Sequence, residues 1–224
     1  VSVGRGAEKK ILKVIESMGT NLLIVNAGQT RIIAGRQRQM ETVNSLTPSD
    51  AEAIVAECPS VERASALISR RLATRWQAGI VNTTVIGMTP EGFEIRKIEL
   101  AAGRFFDSGE GRARRRVAVI GPTAARNLFG EQDPLGQSFR IGRVPFEVIG
   151  VAKTRGMDIN GTDLDDAVLV PLETAMLRLY NVPYIESVYV QARNAGEGLA
   201  AAEREIADLL RIRHRLRNRP DDFT

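Results

Sequence analysis

The chain is poor in the residues from which disulfides, metal sites and catalytic triads are built. Its 224 residues include one cysteine, Cys58, and one histidine, His214. A single cysteine cannot form an internal disulfide, and these counts exclude Cys-rich zinc sites and multi-histidine metal sites. No serine, histidine and carboxylate are spaced in a way that suggests nucleophilic catalysis. We therefore expect no catalytic residue, no cofactor and no resident metal.

Long apolar segments and a large excess of charge are also missing. No run of 18 apolar residues occurs, so we expect no membrane-spanning segment within this sequence. The net charge is +4, and residues 211–224 alone hold five arginines and two aspartates. The rest of the chain is nearly neutral, which argues against nucleic acid as a partner because such proteins present a basic face. The chain begins with Val1, so we expect it to be a piece of a longer protein.

What is present is an ordinary globular composition, with 43% hydrophobic and 26% charged residues. Both ends of the sequence have the pattern of amphipathic helices next to strands. Residues 79–184 instead have the pattern of short strands separated by turn glycines. The patterning predicts an α+β fold in two parts. One α/β part is formed by residues 1–78 and 185–224, and the β-rich part of residues 79–184 is inserted in it.

Local patterns place the individual elements. Apolar spacing predicts a helix around residues 11–18, and a helix is predicted to start at Thr47, with Pro48 in its first turn and Asp50 completing a capping box. Residues 27–45 are polar and are predicted to form a long loop. Further helices are predicted at 122–129, 171–179 and 196–214, and strands at 21–25, 61–76, 79–86, 116–121, 137–141, 144–152, 167–170 and 186–192.

Two acidic segments are the candidates for chemistry. The first contains Asp158, Asp163, Asp165 and Asp166, whose spacing differs from that of a calcium-binding EF-hand loop. A solvated loop closed by the turn dipeptide Asn160-Gly161 is the favoured interpretation, and a soluble enzyme using this acidic loop is a remote alternative. The second contains Glu110, which we interpret as part of an exposed loop rather than as a general acid.

The C-terminal arginines form a candidate contact surface. Arg211, Arg213, Arg215 and Arg217 are candidate membrane-proximal basic contacts, since basic side chains are attracted to anionic lipid headgroups. A solvated helix end is the favoured alternative, because cations are favourable at a helix C-terminus. Nucleic-acid binding is the weakest interpretation, because no aromatic residues are interleaved with the arginines. The basic stretch 112–116 is likewise interpreted as solvated rather than as a partner contact.

Several segments together carry a resemblance to a known family. They are Gly4-Arg-Gly-Ala-Glu-Lys-Lys-Ile11, Gly19-Thr-Asn-Leu-Leu-Ile24, Val85-Ile-Gly-Met-Thr-Pro90, Leu100-Ala-Ala-Gly-Arg-Phe-Phe-Asp107, Val117-Ala-Val-Ile-Gly121, Asn127-Leu-Phe-Gly130, Asp133-Pro-Leu-Gly136, Phe146-Glu-Val-Ile-Gly-Val151, Val170-Pro-Leu172 and the tail ending in Asp221-Asp-Phe-Thr224. The chain resembles, over essentially its whole length, the MacB-like periplasmic core domain of ABC transporter permeases.

The resemblance implies an architecture and a location. The discontinuous part, residues 1–78 and 185–224, would be the membrane-proximal Porter-like subdomain, and residues 79–184 would be the inserted Sabre-like subdomain. The whole protein would reside in the inner membrane, with this domain on the periplasmic side between two transmembrane helices.

The resemblance also implies a non-enzymatic role. Such a domain docks partner proteins and relays ATP-driven conformational change for export, with ATP hydrolysed in a separate domain or subunit. The implied partners are the cognate ATPase, a membrane fusion protein and an outer-membrane channel. The full-length transporter would be a homodimer, and the isolated chain is expected to be a monomer. A lipoprotein-release or cell-division-type permease domain of the same superfamily is the alternative.

Overall fold

The computed structural model describes residues 21–33, 36–40, 44–158, 161–217 and 219–224. The strands are β1 (Leu22–Asn26), β2 (Gln29–Ile33), β3 (Arg36–Met40), β4 (Val61–Trp76), β5 (Gly79–Met88), β6 (Leu100–Gly103), β7 (Val117–Ile120), β8 (Ser138–Ile141), β9 (Val144–Ala152), β10 (Ala167–Pro171) and β11 (Ser187–Ala192). The helices are α1 (Pro48–Glu57), α2 (Glu91–Ile95), α3 (Ser108–Arg112), α4 (Pro122–Phe129), α5 (Leu172–Thr174), a π-helix (Ala175–Tyr180) and α6 (Glu197–Arg213).

Most predicted elements are confirmed, and the α+β class with them. The bounds predicted for β4, β9 and α4 agree with the structure, and those of β1, β5, β7, β8, β10, β11 and α6 differ by a few residues at most. Asp50 closes the predicted capping box, since its carboxylate accepts the Thr47 N–H at 2.9 Å. The helix predicted around residues 11–18 lies outside the described residues.

Three predictions about local structure are wrong or incomplete. Residues 29–33 and 36–40 form the antiparallel hairpin β2–β3, not part of a long loop. Glu110 lies in α3 rather than in an exposed loop, because Asp107 caps that helix through the Glu110 N–H at 2.8 Å. The helix predicted over 171–179 consists of one α-helical turn followed by a π-helix. The short elements α2 and β6 were not predicted.

Contacts divide the chain into two compact units. Among the described residues, the smaller unit contains Asn21–Ile68 and Val182–Thr224, and the larger unit contains Ser69–Asn181. The boundary falls within β4, so the first half of this long strand belongs to the smaller unit and the second half to the larger one.

The smaller unit combines an antiparallel sheet with two helices. Strand β11 pairs with β1 on one side and with the first half of β4 on the other. Helices α1 and α6 contact each other, and the Glu205 carboxylate of α6 accepts the N–H and the hydroxyl of Ser60 at 2.9 and 2.8 Å. Ile54, Ile206 and Leu210 are among the buried residues of this core.

The larger unit has a mixed sheet whose pairing closes on itself. Strand β10 is parallel to β5 and antiparallel to β7, and β7 is parallel to β9. Strand β8 pairs with β9 and also with the end of β4, which in turn neighbours β5. Six strands therefore form a ring, and β6 extends from β9 outside it. Phe139 and Phe146 are almost fully buried and lie within 6.4 Å of each other between ring centroids.

Candidate functional site

The candidate site is the C-terminal segment that contains the predicted arginines. Helix α6 ends at Arg213, and both Arg215 and Arg217 adopt positive φ angles of 54° and 48°. Leu216, between them, is 6% exposed and anchors this turn in the core. The chain therefore forms a turn immediately after α6, and the arginines on either side of Leu216 are exposed.

The last residues of the chain return to β1. Asn26 and Thr224 exchange two backbone hydrogen bonds of 2.7 and 2.9 Å, and the Gly28 N–H donates to the Asp222 carbonyl at 2.9 Å. Ala27 and Phe223 face each other as an antiparallel bridge. The Ser45 hydroxyl donates to the same Asp222 carbonyl at 2.6 Å. The C-terminal segment is thus bonded to the rest of the smaller unit.

Arg211 links the end of α6 to this segment. Its guanidinium donates to both carboxylate oxygens of Asp221 at 2.9 and 2.8 Å, a bidentate geometry, and to Asp208 at 3.1 Å. Hydrogen bonds and charge from Asp221, and then from Asp208, raise the pKa of Arg211. This predicted membrane contact is therefore engaged by two carboxylates of its own chain.

Arg213 and His214 meet a buried carboxylate on α1. Asp50 has a side chain only 5% exposed, and it accepts a 2.8 Å bond from Arg213. The His214 imidazole lies between two carboxylates, with Nδ1 2.7 Å from Asp222 and Nε2 3.5 Å from Asp50. Burial by itself would raise the pKa of Asp50, but the hydrogen bonds from Arg213 and Thr47 outweigh it and hold that pKa below 3.8.

Arg215 and Arg217 differ from these two arginines. Both are exposed, and within the described residues neither lies within ion-pair distance of a carboxylate. Ile212, which precedes them on α6, is 76% exposed. The four predicted contacts therefore separate into two that hold the fold together and two that are open to a partner. Sequence spacing could not separate them, because Asp50 lies 163 residues from Arg213.

The carboxylates of the acidic segment accept hydrogen bonds from groups of the surrounding fold. Asp165 is 5% exposed and accepts the backbone N–H groups of Arg155 and Gly156 at 2.8 and 3.0 Å. Asp166 accepts from the Thr83 hydroxyl at 2.6 Å and pairs with Arg71 at 3.2 Å. Across the described ranges, no group of three or more His, Cys, Asp or Glu side chains is arranged to hold a metal ion. Asn160 lies outside the described residues.

Asp158 and Asp163 also serve the local backbone. Asp158 accepts the Thr162 N–H, and Asp163 accepts the Asp165 N–H, each at 2.8 Å. Carboxylates that accept backbone donors are typical of turns. This segment therefore has the contacts of a structured turn rather than those of a catalytic acid–base pair.

Glu110 and Cys58 have structural surroundings as well. A bidentate contact with Arg104, at 2.8 and 2.9 Å, lowers the pKa of Glu110. Burial, together with the charges of Glu205 and Glu57, raises the pKa of the Cys58 thiol to about 11. A thiol that stays protonated at neutral pH is a poor nucleophile, and Cys58 is a core residue that is only 3% exposed.

Solved structures with the same fold come from transporter proteins. The crystal structure of the periplasmic region of MacB from Actinobacillus actinomycetemcomitans matches with a TM-score of 0.76 at 21% identity, over 96% of this chain and 92% of that one. The extracellular domain of the noncanonic ABC-type transporter YknZ from Gram-positive bacteria matches with a TM-score of 0.74 at 20% identity, over 91% and 98%. The chain thus has the fold of extracytoplasmic ABC transporter domains.

Sequence comparison identifies the family. The model of the MacB-like periplasmic core domain matches residues 1–209. The chain belongs to this family, and is a MacB-like periplasmic domain of an ABC transporter permease.

Its relatives include two proteins named macrolide export ATP-binding/permease protein MacB. That of Chlorobium luteolum is 35% identical over 100% of this chain, and that of Rhodospirillum rubrum is 36% identical over 96%. The chain spans about a third of the length of these relatives, at 33% and 32%. No helix in the described part of the chain is long and apolar enough to cross a membrane.

Proposed function

We propose that this domain docks partner proteins and relays ATP-driven conformational change for export by an inner-membrane transporter. The observation that carries the proposal is the family match over residues 1–209, together with relatives named for macrolide export. ATP hydrolysis then belongs to a separate domain or subunit. The proposed partners are that ATPase, a membrane fusion protein, an outer-membrane channel and a second copy of the transporter. The named relatives favour export over lipoprotein release.

The two compact units support a division of labour between subdomains. We assign the membrane-proximal Porter-like role to the smaller unit, since its described residues come from both the early and the late parts of the sequence. The inserted Sabre-like role falls to the larger unit. The boundaries observed, within β4 and after Asn181, lie within ten residues of the proposed limits at 78 and 185.

A relay requires a stiff connection between the domain and the chain that follows it. The C-terminal segment supplies one, because the Arg211–Asp221 and His214–Asp222 contacts and the backbone bonds to β1 hold it at several points. Motion of this segment is therefore transmitted to the smaller unit rather than lost in a flexible linker.

Loosening this connection in the full-length transporter should uncouple ATP hydrolysis from export. We expect Asp221→Ala with Asp222→Ala to keep ATP hydrolysis but to reduce macrolide resistance of the cells by roughly two- to thirtyfold, the range of typical coupling energies. The control is Asp208→Ala, which removes the other carboxylate from Arg211 but leaves the C-terminal segment attached. ATPase activity of the purified transporter and cellular resistance are the two measurements.

A disulfide can restore the connection in the same variant. Ala27 and Phe223 are directly opposite in an antiparallel bridge, and such pairs have the short Cα separation that a disulfide needs. Ala27→Cys with Phe223→Cys should recover export under oxidising conditions and lose it on reduction. Normal export by the loosened variant, or no recovery on oxidation, contradicts the relay.

We propose that the exposed residues Arg215, Arg217 and Ile212 contact the membrane surface. An exposed apolar side chain beside unpaired arginines suits an anionic membrane surface, where each basic residue contributes about 1 kcal/mol. Arg215→Gln with Arg217→Gln should therefore weaken binding of the chain to vesicles of phosphatidylglycerol and phosphatidylcholine by about thirtyfold. The matched control is Arg75→Gln with Arg126→Gln, which removes the same charge from the larger unit. Equal losses in a vesicle sedimentation assay would argue against this contact.

A further inference from the structure

The larger unit contains a groove lined by arginines that no contact of the fold explains. It has a volume of about 610 Å³, and we call it the arginine groove. Of the described residues that line it, the charged ones are five arginines and one glutamate, namely Arg114, Arg115, Arg116, Arg143, Arg178 and Glu147. Five arginines and one glutamate give the lining residues a formal excess of four positive charges, as large as the net charge of the entire chain.

None of the described carboxylates forms an ion pair with these arginines, although the charge of Arg115 does act on Glu110. All five are exposed, and none lies within ion-pair distance of a carboxylate in the ranges that the structure covers. Elsewhere in the same unit, Arg71 pairs with Asp166 and Arg104 with Glu110. Like charges at close quarters repel, so a cluster of this kind costs stability unless an anion binds to it.

Hydrogen bonds hold the main chain that carries three of these arginines, Arg114, Arg115 and Arg116. Arg114 adopts a φ of +52° at the end of α3, and its N–H donates to the Gly111 carbonyl at 2.8 Å. Glycine is the residue usually found at such a helix end, so an arginine here introduces backbone strain. The Arg115 carbonyl accepts from the Thr174 hydroxyl, and the Arg116 carbonyl accepts from the Glu147 N–H, each at 2.9 Å. The main chain of these residues is therefore held in place, whereas binding must still order each exposed arginine side chain, at a cost in conformational entropy.

The groove has the chemistry of a site for carboxylates on a polypeptide. Guanidinium groups form bidentate hydrogen bonds with carboxylates, and arginine clusters are a recurrent means of recognising acidic motifs. Val144 and Pro145, which are half-buried, add apolar surface beside the charges, which suits the aliphatic stems of glutamate side chains. Among the described residues that line the groove, none is aromatic, so they do not supply the stacking that single-stranded nucleic acids require.

We propose that the arginine groove binds an acidic segment of a partner polypeptide. The proposal rests on the proposed function in one respect, namely that this domain docks partner proteins, and it adds the chemistry of the contact. The partner surface is expected to carry several closely spaced glutamates or aspartates. This site lies in the larger unit and is formed by other residues than the C-terminal arginines.

The test uses fluorescein-labelled hexaglutamate as the probe, measured by fluorescence anisotropy with the complete chain. We expect Arg143→Glu with Arg178→Glu to weaken binding by about tenfold or more, since two charge-assisted contacts become repulsive. The matched control, Arg75→Glu with Arg126→Glu, makes the same change in net charge at arginines that do not line the groove. It should change the affinity by no more than about twofold, the effect of general charge after screening.

Three outcomes would overturn the proposal. These are no binding of hexaglutamate by the wild type, an equal loss in the groove and control variants, and displacement of the probe by tripolyphosphate at lower concentration than by unlabelled hexaglutamate. The last would reassign the groove to phosphorylated ligands. Each of these outcomes concerns only the groove. The proposed relay is tested separately, by ATP hydrolysis and macrolide resistance in the transporter with Asp221→Ala and Asp222→Ala. Failure of the groove proposal can therefore be told apart from failure of the relay proposal.

Discussion

Asp50→Ala is expected to lower the free energy of unfolding by about 3 kcal/mol, because it removes the buried carboxylate that pairs with Arg213. The Asp50 carboxylate receives the Arg213 guanidinium at 2.8 Å, the Thr47 hydroxyl at 2.7 Å and the Thr47 N–H at 2.9 Å. Loss of the capping-box hydrogen bonds between Asp50 and Thr47 alone costs about 1 kcal/mol. The guanidinium of Arg213, which loses its carboxylate partner, accounts for the rest, and this part is reduced because Arg213 is 31% exposed.

Urea unfolding followed by far-UV circular dichroism measures this change. Glu52→Ala is the matched control, because Glu52 lies on the same helix but is exposed. It should change the unfolding free energy by about 0.5 kcal/mol or less. A similar loss of unfolding free energy in both variants would show that Asp50 acts only through helix propensity. The Asp50–Arg213 ion pair would then contribute nothing measurable to stability.

The same carboxylate should make stability depend on pH at the acidic end. The pKa of Asp50 lies below its usual value of 3.8 in the folded chain, so its contribution is fully present above pH 3.8. It is lost as the pH falls through the folded value. The difference in unfolding free energy between wild type and Asp50→Asn should therefore be constant near neutral pH and shrink below pH 3.8. A difference in unfolding free energy that does not vary with pH would contradict the view that Asp50 is ionised in the folded chain.

Local sequence patterns were enough to predict most helices and strands, but not which strands pair with each other. Proline and glycine bound α4, and an apolar run interrupted only by Glu147 and Gly150 identifies β9, so both could be predicted with their limits. The closing contact of the ring, Thr74 opposite Ile141, joins residues far apart along the chain. Hydrophobic periodicity reports which face of a strand is buried and says nothing about which strand lies beside it.

The wrong prediction over residues 27–45 has a similar physical origin. Strand β3 reads Arg-Gln-Arg-Gln-Met, and such polar residues are also typical of loops. The available signal was two five-residue runs separated by Ala34-Gly35, a spacing typical of a hairpin. Likewise, the sequence placed four arginines in one candidate site but could not show that Arg211 and Arg213 have carboxylate partners, because Asp221 and Asp50 approach them only in the folded chain.

Gly103 occupies one of the segments that carry the family resemblance, and its role is steric. It pairs with Gly150 between β6 and β9, and its φ of +79° lies in the region that favours glycine. A Cβ atom at this position would lie 2.2 Å from the Ile149 carbonyl oxygen and 2.8 Å from the Gly150 Cα. Two backbones therefore approach so closely that only glycine fits, and the segment is a fold determinant rather than a binding motif.

Gly103→Ala is expected to destabilise the larger unit by about 3 kcal/mol or more. The unfavourable φ contributes about 1–2 kcal/mol, and displacement of the neighbouring strand contributes about 1–3 kcal/mol. Gly142→Ala is the control that separates the two costs, because Gly142 has a φ of +57° but nothing within 4 Å of an added Cβ. It should cost only about 1 kcal/mol.

Trp76 lies in the larger unit, at 5.1 Å from Phe129 between ring centroids, so its fluorescence during urea unfolding reports on that unit. The Trp76 transition should move to much lower urea in Gly103→Ala than in Gly142→Ala. Equal shifts would mean that the β6–β9 contact relaxes to admit a methyl group, and that backbone conformation alone explains the glycine. A larger shift in Gly103→Ala would establish close strand approach as the reason that this position requires glycine.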